Sequence, residues 1–328
     1  MGIQKGKIGV SSNSLKKMRS GIVHYTMSDH LDKILSQENV ILKASCFSRY
    51  WKQEENSHDD SAEFIGALKS VDFKNMEFRY KFQNEKGLNY ETKGGRKAMR
   101  GSDCFIDNGS IPTVAAPLHS TETQYFCCFS SLINDCQMYS RFCNLEYGVP
   151  VMLIFNPEIL LQTGCENCND EKSSLILLPV SYYKEDSETM IPSMLKDKMK
   201  EIKECRDQVE NSEEGNTSGD NHIEACLFLK RRTYESEEEL RLVYIRQEAY
   251  KFWISNGNYN FQFTESTQDK KEDGKDKSIY LKLPPKCLSA IMFGPCVDLE
   301  RARMITAFLS ETAFKDTPVF LHNWVKVR

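Results

Sequence analysis

The stretch QYFCCFSSLINDCQMYSRFCNLEYGVPVMLIFNP, from Gln124 to Pro157, constrains this chain most, because its hydrophobic pattern changes period twice. Tyr125 to Phe129 and Val149 to Phe155 are strand-length runs of aromatic, aliphatic and β-branched residues. Between them Leu132, Cys136, Tyr139 and Cys143 recur at helical spacing, with Ile133 and Phe142 beside them. That spacing predicts a helix with one stripe on a sheet and Asn134, Asp135, Gln137 and Arg141 facing outward. Ser130 or Ser131 is placed to cap it, since a hydroxyl there satisfies an amide left free in the first turn. A strand ending in Phe129-Ser130 at a helix start favours an anion beyond the strand tip. An ordinary strand-to-helix cap accounts for the same residues.

With 328 residues the chain accommodates one large domain with insertions or two unequal domains. A net charge of −4 and a pI near 6.0 give no global reason to expect a polyanionic partner. Lys5, Lys7, Lys16, Lys17 and Arg19 precede no apolar core of signal-peptide length, and no run approaches a membrane span, so the expectation is a soluble cytoplasmic protein without a membrane partner. The 12 cysteines, among them Cys46, Cys127, Cys128, Cys136, Cys143 and Cys287, lie in apolar segments. This distribution predicts small buried hydrophobes in a reducing compartment rather than a disulfide framework.

Composition divides the chain into a polar lead-in (1–20), a first part of the main domain (21–163), an insertion (164–224) and a second part of the main domain (225–328). Ile22 to Thr26 reads as a strand, Ser28 or Asp29 as the cap of a helix carrying Leu31, Ile34 and Leu35, and Val40 to Leu42 as a short strand. The aromatic alternation of Phe73, Phe78, Tyr80 and Phe82 predicts a hairpin arm. Within the insertion, Leu175 to Tyr183 is strand-like and Met194 to Val209 a charged helix, while NSEEGNTSGDN (211–221) reads as a flexible linker. Leu240, Leu242 and Tyr244 then form a strand, Tyr280 to Leu283 an edge strand stopped by proline, and Leu288 to Gly294 a buried strand. Asp298 caps a last helix.

Several groups carry candidate chemistry. Glu237 and Glu239 fall on one side of an extended chain and Glu238 on the other, although a solvated acidic turn reads the same way. His24 ends an early strand before a helix, as Ser130 does, and packing is the commoner role of such a histidine. His58, Asp59, Asp60 and Glu63 form a charged cluster that can contact a cation or line a loop. The basic run from Lys93 to Gly101 lacks phosphate-loop spacing. Cys165-Glu166-Asn167-Cys168 has the spacing of half a zinc site, with only isolated Cys205, His222 and Cys226 to complete it; no metal is assigned.

His24-Tyr25-Thr26, Cys128-Phe129-Ser130, Met138-Tyr139-Ser140-x-Phe142, Glu237-x-Glu239-x-Arg241 and Ile291-x-Phe293-Gly294 resemble, in order, the segments of an uncharacterised bacterial family, a domain of unknown function. A second resemblance is to the ADP-ribosyltransferases. These place a His or Arg on an early strand, a Tyr or Ser on a middle strand leading into a helix, and a glutamate near a late strand, often as Glu-x-Glu. That resemblance implies an α+β fold, a mixed split sheet flanked by helices, with a long insertion. It implies NAD as substrate and ADP-ribosyl transfer to a macromolecular acceptor, protein or nucleic acid, or NAD hydrolysis, in a toxin or phage-defence setting. It assigns Glu239 and Glu237 to catalysis and His24, Tyr25, Thr26, Ser130, Tyr139 and Arg241 to the dinucleotide. A carboxylate near the ribose would stabilise the positive charge that builds as the nicotinamide bond breaks. The expectation is that His24, Ser130 and Glu239 converge on one cleft. Two other readings compete: a non-catalytic binding or sensor module in which these groups satisfy buried polar partners, and a metal-dependent hydrolase using Asp59, Asp60, Glu63 and His58.

Overall fold

The computed structural model describes residues 7–46, 80–83, 89–92, 124–141, 148–165, 168, 173–184, 191–209, 225, 227–246, 250–255, 258–263 and 278–328. The calls on residues 58–63, 93–101 and 211–221 lie outside them. The architecture is mixed α+β, built on a mainly antiparallel sheet of ten strands that also contains parallel pairs.

Strands β1 (Ile8–Val10), β2 (Ile22–Met27) and β3 (Val40–Cys46) come first, with α1 (Ser12–Lys17) between β1 and β2 and α2 (Leu31–Ile34) between β2 and β3. The hairpin β4 (Tyr80–Gln83) and β5 (Asn89–Thr92) follows. Then come β6 (Gln124–Ser130), α3 (Cys136–Arg141), β7 (Pro150–Phe155), α4 (Pro157–Thr163), β8 (Ser173–Pro179), β9 (Ser181–Tyr183) and α5 (Ile191–Val209). The last part contains β10 (Leu229–Arg231), β11 (Glu239–Arg246), β12 (Tyr250–Ser255), β13 (Asn258–Phe263), β14 (Ser278–Leu283), β15 (Leu288–Phe293), α6 (Leu299–Thr306) and β16 (Val319–Leu321). Among the described residues no helix is long and apolar enough to cross a membrane.

The main sheet runs β1-β8-β11-β6-β2-β7-β15-β16, with β3 and β14 attached as a side branch. Residues expected as lead-in and as insertion supply β1 and β8 to it. The branch point is β6. Along one edge β6 pairs with β11 over its whole length, from Glu239 opposite Ser130 to Ile245 opposite Gln124. Its other edge is shared, with Val23 of β2 opposite Ser130 and Ser45 and Cys46 of β3 opposite Phe126 and Tyr125. The sheet is therefore split at β6: β2 leads on to β7, β15 and β16, whereas β3 leads to β14.

Alternation along the strands sorts side chains onto two faces. One face carries the large cluster of Ile22, Leu153, Phe155, Cys127, Phe129, Leu240 and Leu242. The opposite face carries Val23, Tyr25, Tyr139, Met152 and Met292, and beyond β6 Phe126, Val243, Ile176 and Leu178 under α5. Helix α5 is tied to the α1 end, where Glu204 accepts hydrogen bonds from Ser12 N and Oγ. Its approach to β1 requires glycine: a Cβ on Gly9 would lie 2.5 Å from the Cys205 carbonyl oxygen. Gly9→Ala is expected to lower stability by about 1–3 kcal/mol, as overpacking does, read as a lower melting temperature.

The helix expected after β6 begins later than Ser130 or Ser131 would start it. Ser130 Oγ instead accepts from Leu132 N at 3.0 Å and donates to the Glu237 carbonyl at 2.7 Å. Asn134 takes a left-handed turn at φ 60°, and Asp135 Oδ1 accepts from Met138 N at 2.9 Å, so that α3 starts at Cys136. Tyr139 is buried, as its place on the packed stripe predicts, but Cys136 is exposed and Met138 is buried instead. Asp298 caps α6 as expected, accepting from Arg301 N at 2.8 Å.

Candidate functional site

Three central strands align Glu239, Ser130 and Val23 in one row, since Glu239 is opposite Ser130 and Ser130 is opposite Val23. Residues opposed across strands share a face, so Cys128 and Arg241, opposed one step further on, lie on that face too. Around them is a buried ionic cluster. Arg241 Nε donates to Glu239 Oε1 at 2.7 Å, and Arg241 Nη2 and Lys230 Nζ both reach Glu239 Oε2 at 3.3 Å. Lys230 Nζ also donates to Glu237 Oε2 at 2.8 Å, and Arg241 Nη1 to the Leu227 carbonyl at 2.6 Å. The Tyr182 hydroxyl accepts from Glu239 N at 2.8 Å. Lys230 lies over the Tyr234 ring and Arg241 over Phe126. The Glu239 side chain is only 5% exposed and that of Arg241 9%.

The cluster joins two carboxylates to two cations, so its formal charges cancel. Burial alone would raise the Glu239 pKa, but Arg241 and then Lys230 outweigh it and hold the carboxyl at about 2, down from 4.5. Burial acts on Lys230 to lower its pKa, and Glu239 reverses this, so the ammonium is held charged. The Cys128 thiol lies against the Glu239 carboxylate and its side chain is exposed. Desolvation by the crowded surroundings, then the Glu239 charge, push its pKa well above the ordinary value. It stays a thiol at neutral pH, which makes it a poor nucleophile.

His24 does not join this face. Next to Val23 in β2, it points the other way: its ring is 5.9 Å from that of Phe129, edge to face, and Nδ1 is 4.0 Å from Cys127 Sγ. Nδ1 is 2.9 Å from the Cys128 carbonyl oxygen, in the stretch of β6 between the β2 and β3 pairings. Burial lowers its pKa, against the raising effect of that hydrogen bond, so the neutral ring donates from Nδ1. The expected convergence of His24, Ser130 and Glu239 on one cleft is thus corrected: the register brings Ser130 and Glu239 together and turns His24 to the opposite face.

The other candidates have structural partners. Tyr25 Oη donates to the Leu132 carbonyl at 2.8 Å and accepts from Asp135 N at 3.1 Å. Thr26, on the His24 side of the strand, is 8% exposed. Tyr139 packs edge-on against Tyr25 at 5.2 Å; it is buried, and its hydroxyl has no hydrogen-bond partner among the described residues. Glu237 lies in the 3₁₀ turn before β11 and Glu238 in a left-handed conformation at φ 42°, with its carboxylate accepting from Ser131 Oγ. Sequence reasoning missed Lys230, the cation shared by both glutamates; its only signal was the basic run Lys230-Arg231-Arg232 before the acidic turn.

Among the described residues no group of three His, Cys, Asp or Glu side chains is arranged to hold a metal ion. Comparison with family models, with curated proteins and with solved structures gives no match.

Proposed function

We propose that this chain is a non-catalytic binding or sensor module, in which Glu239, Ser130 and His24 fasten the split sheet. The observation that carries this reading is the Glu239 carboxylate, whose two oxygens are both engaged by buried Arg241 and Lys230. Both oxygens of a group held this way are already engaged, and its charge is neutralised by buried cations before any transition state forms. Ser130 is likewise committed to the Glu237 carbonyl and Leu132 amide, and His24 to the Cys128 carbonyl.

The second reading is ADP-ribosyl transfer from NAD to a macromolecule, or NAD hydrolysis. One observation favours it: the Ser130 and Glu239 that the resemblance pairs are direct neighbours where the sheet splits. Incubation of the full chain with NAD separates the two readings. The binding-module reading expects no release of nicotinamide. Release by the wild type that falls about 100- to 1000-fold in Glu239→Gln protein shown to be folded at the assay temperature, the range for loss of a preorganised electrostatic group, would establish the transferase instead.

A further inference from the structure

The Cys165-x-x-Cys168 pair is used by neither reading. Helix α4 is capped at its start by Asn156, whose side chain accepts from Ile159 N, and ends at Gly164, whose positive φ of 63° suits a residue without a Cβ. Cys165 follows at once. Cys165 Sγ and Cys168 Sγ lie 3.0 Å apart, with Cys168 the donor. Both belong to the main hydrophobic cluster, Cys165 fully buried and Cys168 4% exposed. Among the described residues, the buried Cys205 and Cys287 are not paired with a second sulfur in this way.

We propose that Cys165 and Cys168 are a modification site, a dithiol that a hydroperoxide converts to a reversible intramolecular disulfide. The sulfurs need approach by only about 1 Å to reach the bonded separation of about 2.05 Å. Closure therefore asks little of the backbone. In a local opening Cys168, the less buried of the two, gives its proton to solvent and attacks one oxygen of the peroxide; the O–O bond breaks, the other oxygen leaves as hydroxide and is protonated to water, and Cys168 becomes a sulfenic acid. Cys165 Sγ then attacks Cys168 Sγ, the S–O bond breaks, and hydroxide leaves and is protonated to water. The dithiol loses two electrons and two protons, and hydrogen peroxide is reduced to two waters. A thiol or dithiol reductant reverses the bond by exchange. The closed ring spans four residues, so its gain in stability is smaller than that of a disulfide closing a long loop.

The test treats the full chain with hydrogen peroxide, alkylates it in denaturant, and digests it for mass spectrometry. The expected result is a peptide holding Cys165 and Cys168 that lacks both alkyl groups and is lighter by two hydrogens, while Cys205 and Cys287 remain alkylated. Dithiothreitol before alkylation restores both alkyl groups. In Cys168→Ser, Cys165 stays alkylated at the same peroxide dose. Alkylation of both cysteines in oxidised wild type would overturn the proposal. So would a sulfinic acid on Cys168 without the cross-link, or one zinc per chain that is lost in Cys165→Ser. The wild-type measurement stands even if a variant fails to fold.

Discussion

Glu239→Gln lowers the free energy of unfolding by about 3–5 kcal/mol, the range measured when one partner of a buried ion pair is removed. Gln keeps the shape of the side chain but supplies no charge. Arg241 would then be buried against a neutral amide, and neither the Leu227 carbonyl nor the Phe126 ring that it also meets supplies a compensating full charge. Lys230 retains Glu237 at 2.8 Å, so the loss falls mainly on Arg241. Urea unfolding of the two proteins measures it. The asymmetry expected for buried ions supplies a control: Glu239→Leu combined with Arg241→Met removes both charges together and is expected to be less destabilised than Glu239→Gln, because no buried charge is left unpaired. A single variant as stable as the wild type would place the carboxylate in water rather than in this cluster.

Phe155→Ala is expected to cost about 3–5 kcal/mol, as large-to-small changes at buried aromatics do. Phe155 is fully buried and stands where three strands meet: its backbone is opposite Ile22 of β2 on one side and Leu288 of β15 on the other. Its ring meets that of Phe129 edge to face at 5.5 Å. That contact joins the β7 arm to β6 on the face where the split leaves Cys127 to Phe129 without a β2 or β3 partner. Phe155→Leu, which leaves a smaller cavity, should lose less. Equal losses for the two would show that the ring contact with Phe129 carries the stability, rather than the buried volume. Thermal unfolding of both variants reads the difference.

Much of the sheet was legible because its strands are apolar runs of the right length. Ile22 to Thr26, Val149 to Phe155 but for Val149 itself, Leu240 to Tyr244 and Leu288 to Gly294 but for Gly294 lie in strands of the main sheet, and Tyr280 to Leu283 forms an edge strand as its prolines imply. Local hydrogen bonding decided the errors. Ser130 and Ser131 looked like caps of α3, but both hydroxyls turn toward the Glu237-Glu238 turn, and Asp135 caps the helix four residues later. Alternation in β2 separates His24 from Val23 and Tyr25, yet which of them shares a face with Ser130 depends on pairing between distant segments. Period alone cannot fix such a register. The same limit hid Lys230, which reads as part of a generic basic run; parallel pairing of β10 with β9 sets its position beside Tyr182. Glu237 and Glu239 meet through the shared Lys230 cation and not through alternation along one extended strand, because Glu237 lies in the 3₁₀ turn before β11.

The pH dependence of unfolding, compared between wild type and Glu239→Gln, tests most directly whether Glu239 is a buried structural anion. Its folded pKa of about 2 lies below the ordinary 4.5, so the unfolded state takes up its proton first as pH falls. The stabilisation is therefore fully present above pH 4.5 and is lost as pH falls toward about 2, amounting to about 3 kcal/mol at 1.36 kcal/mol per pKa unit. Carboxylates that share no partner with Glu239 titrate alike in both proteins and cancel in the difference between the two curves. The structural account predicts a difference that is large and flat above pH 5 and shrinks by about 3 kcal/mol between pH 4.5 and pH 2. A difference that stays constant across that range, or is absent throughout, would contradict it.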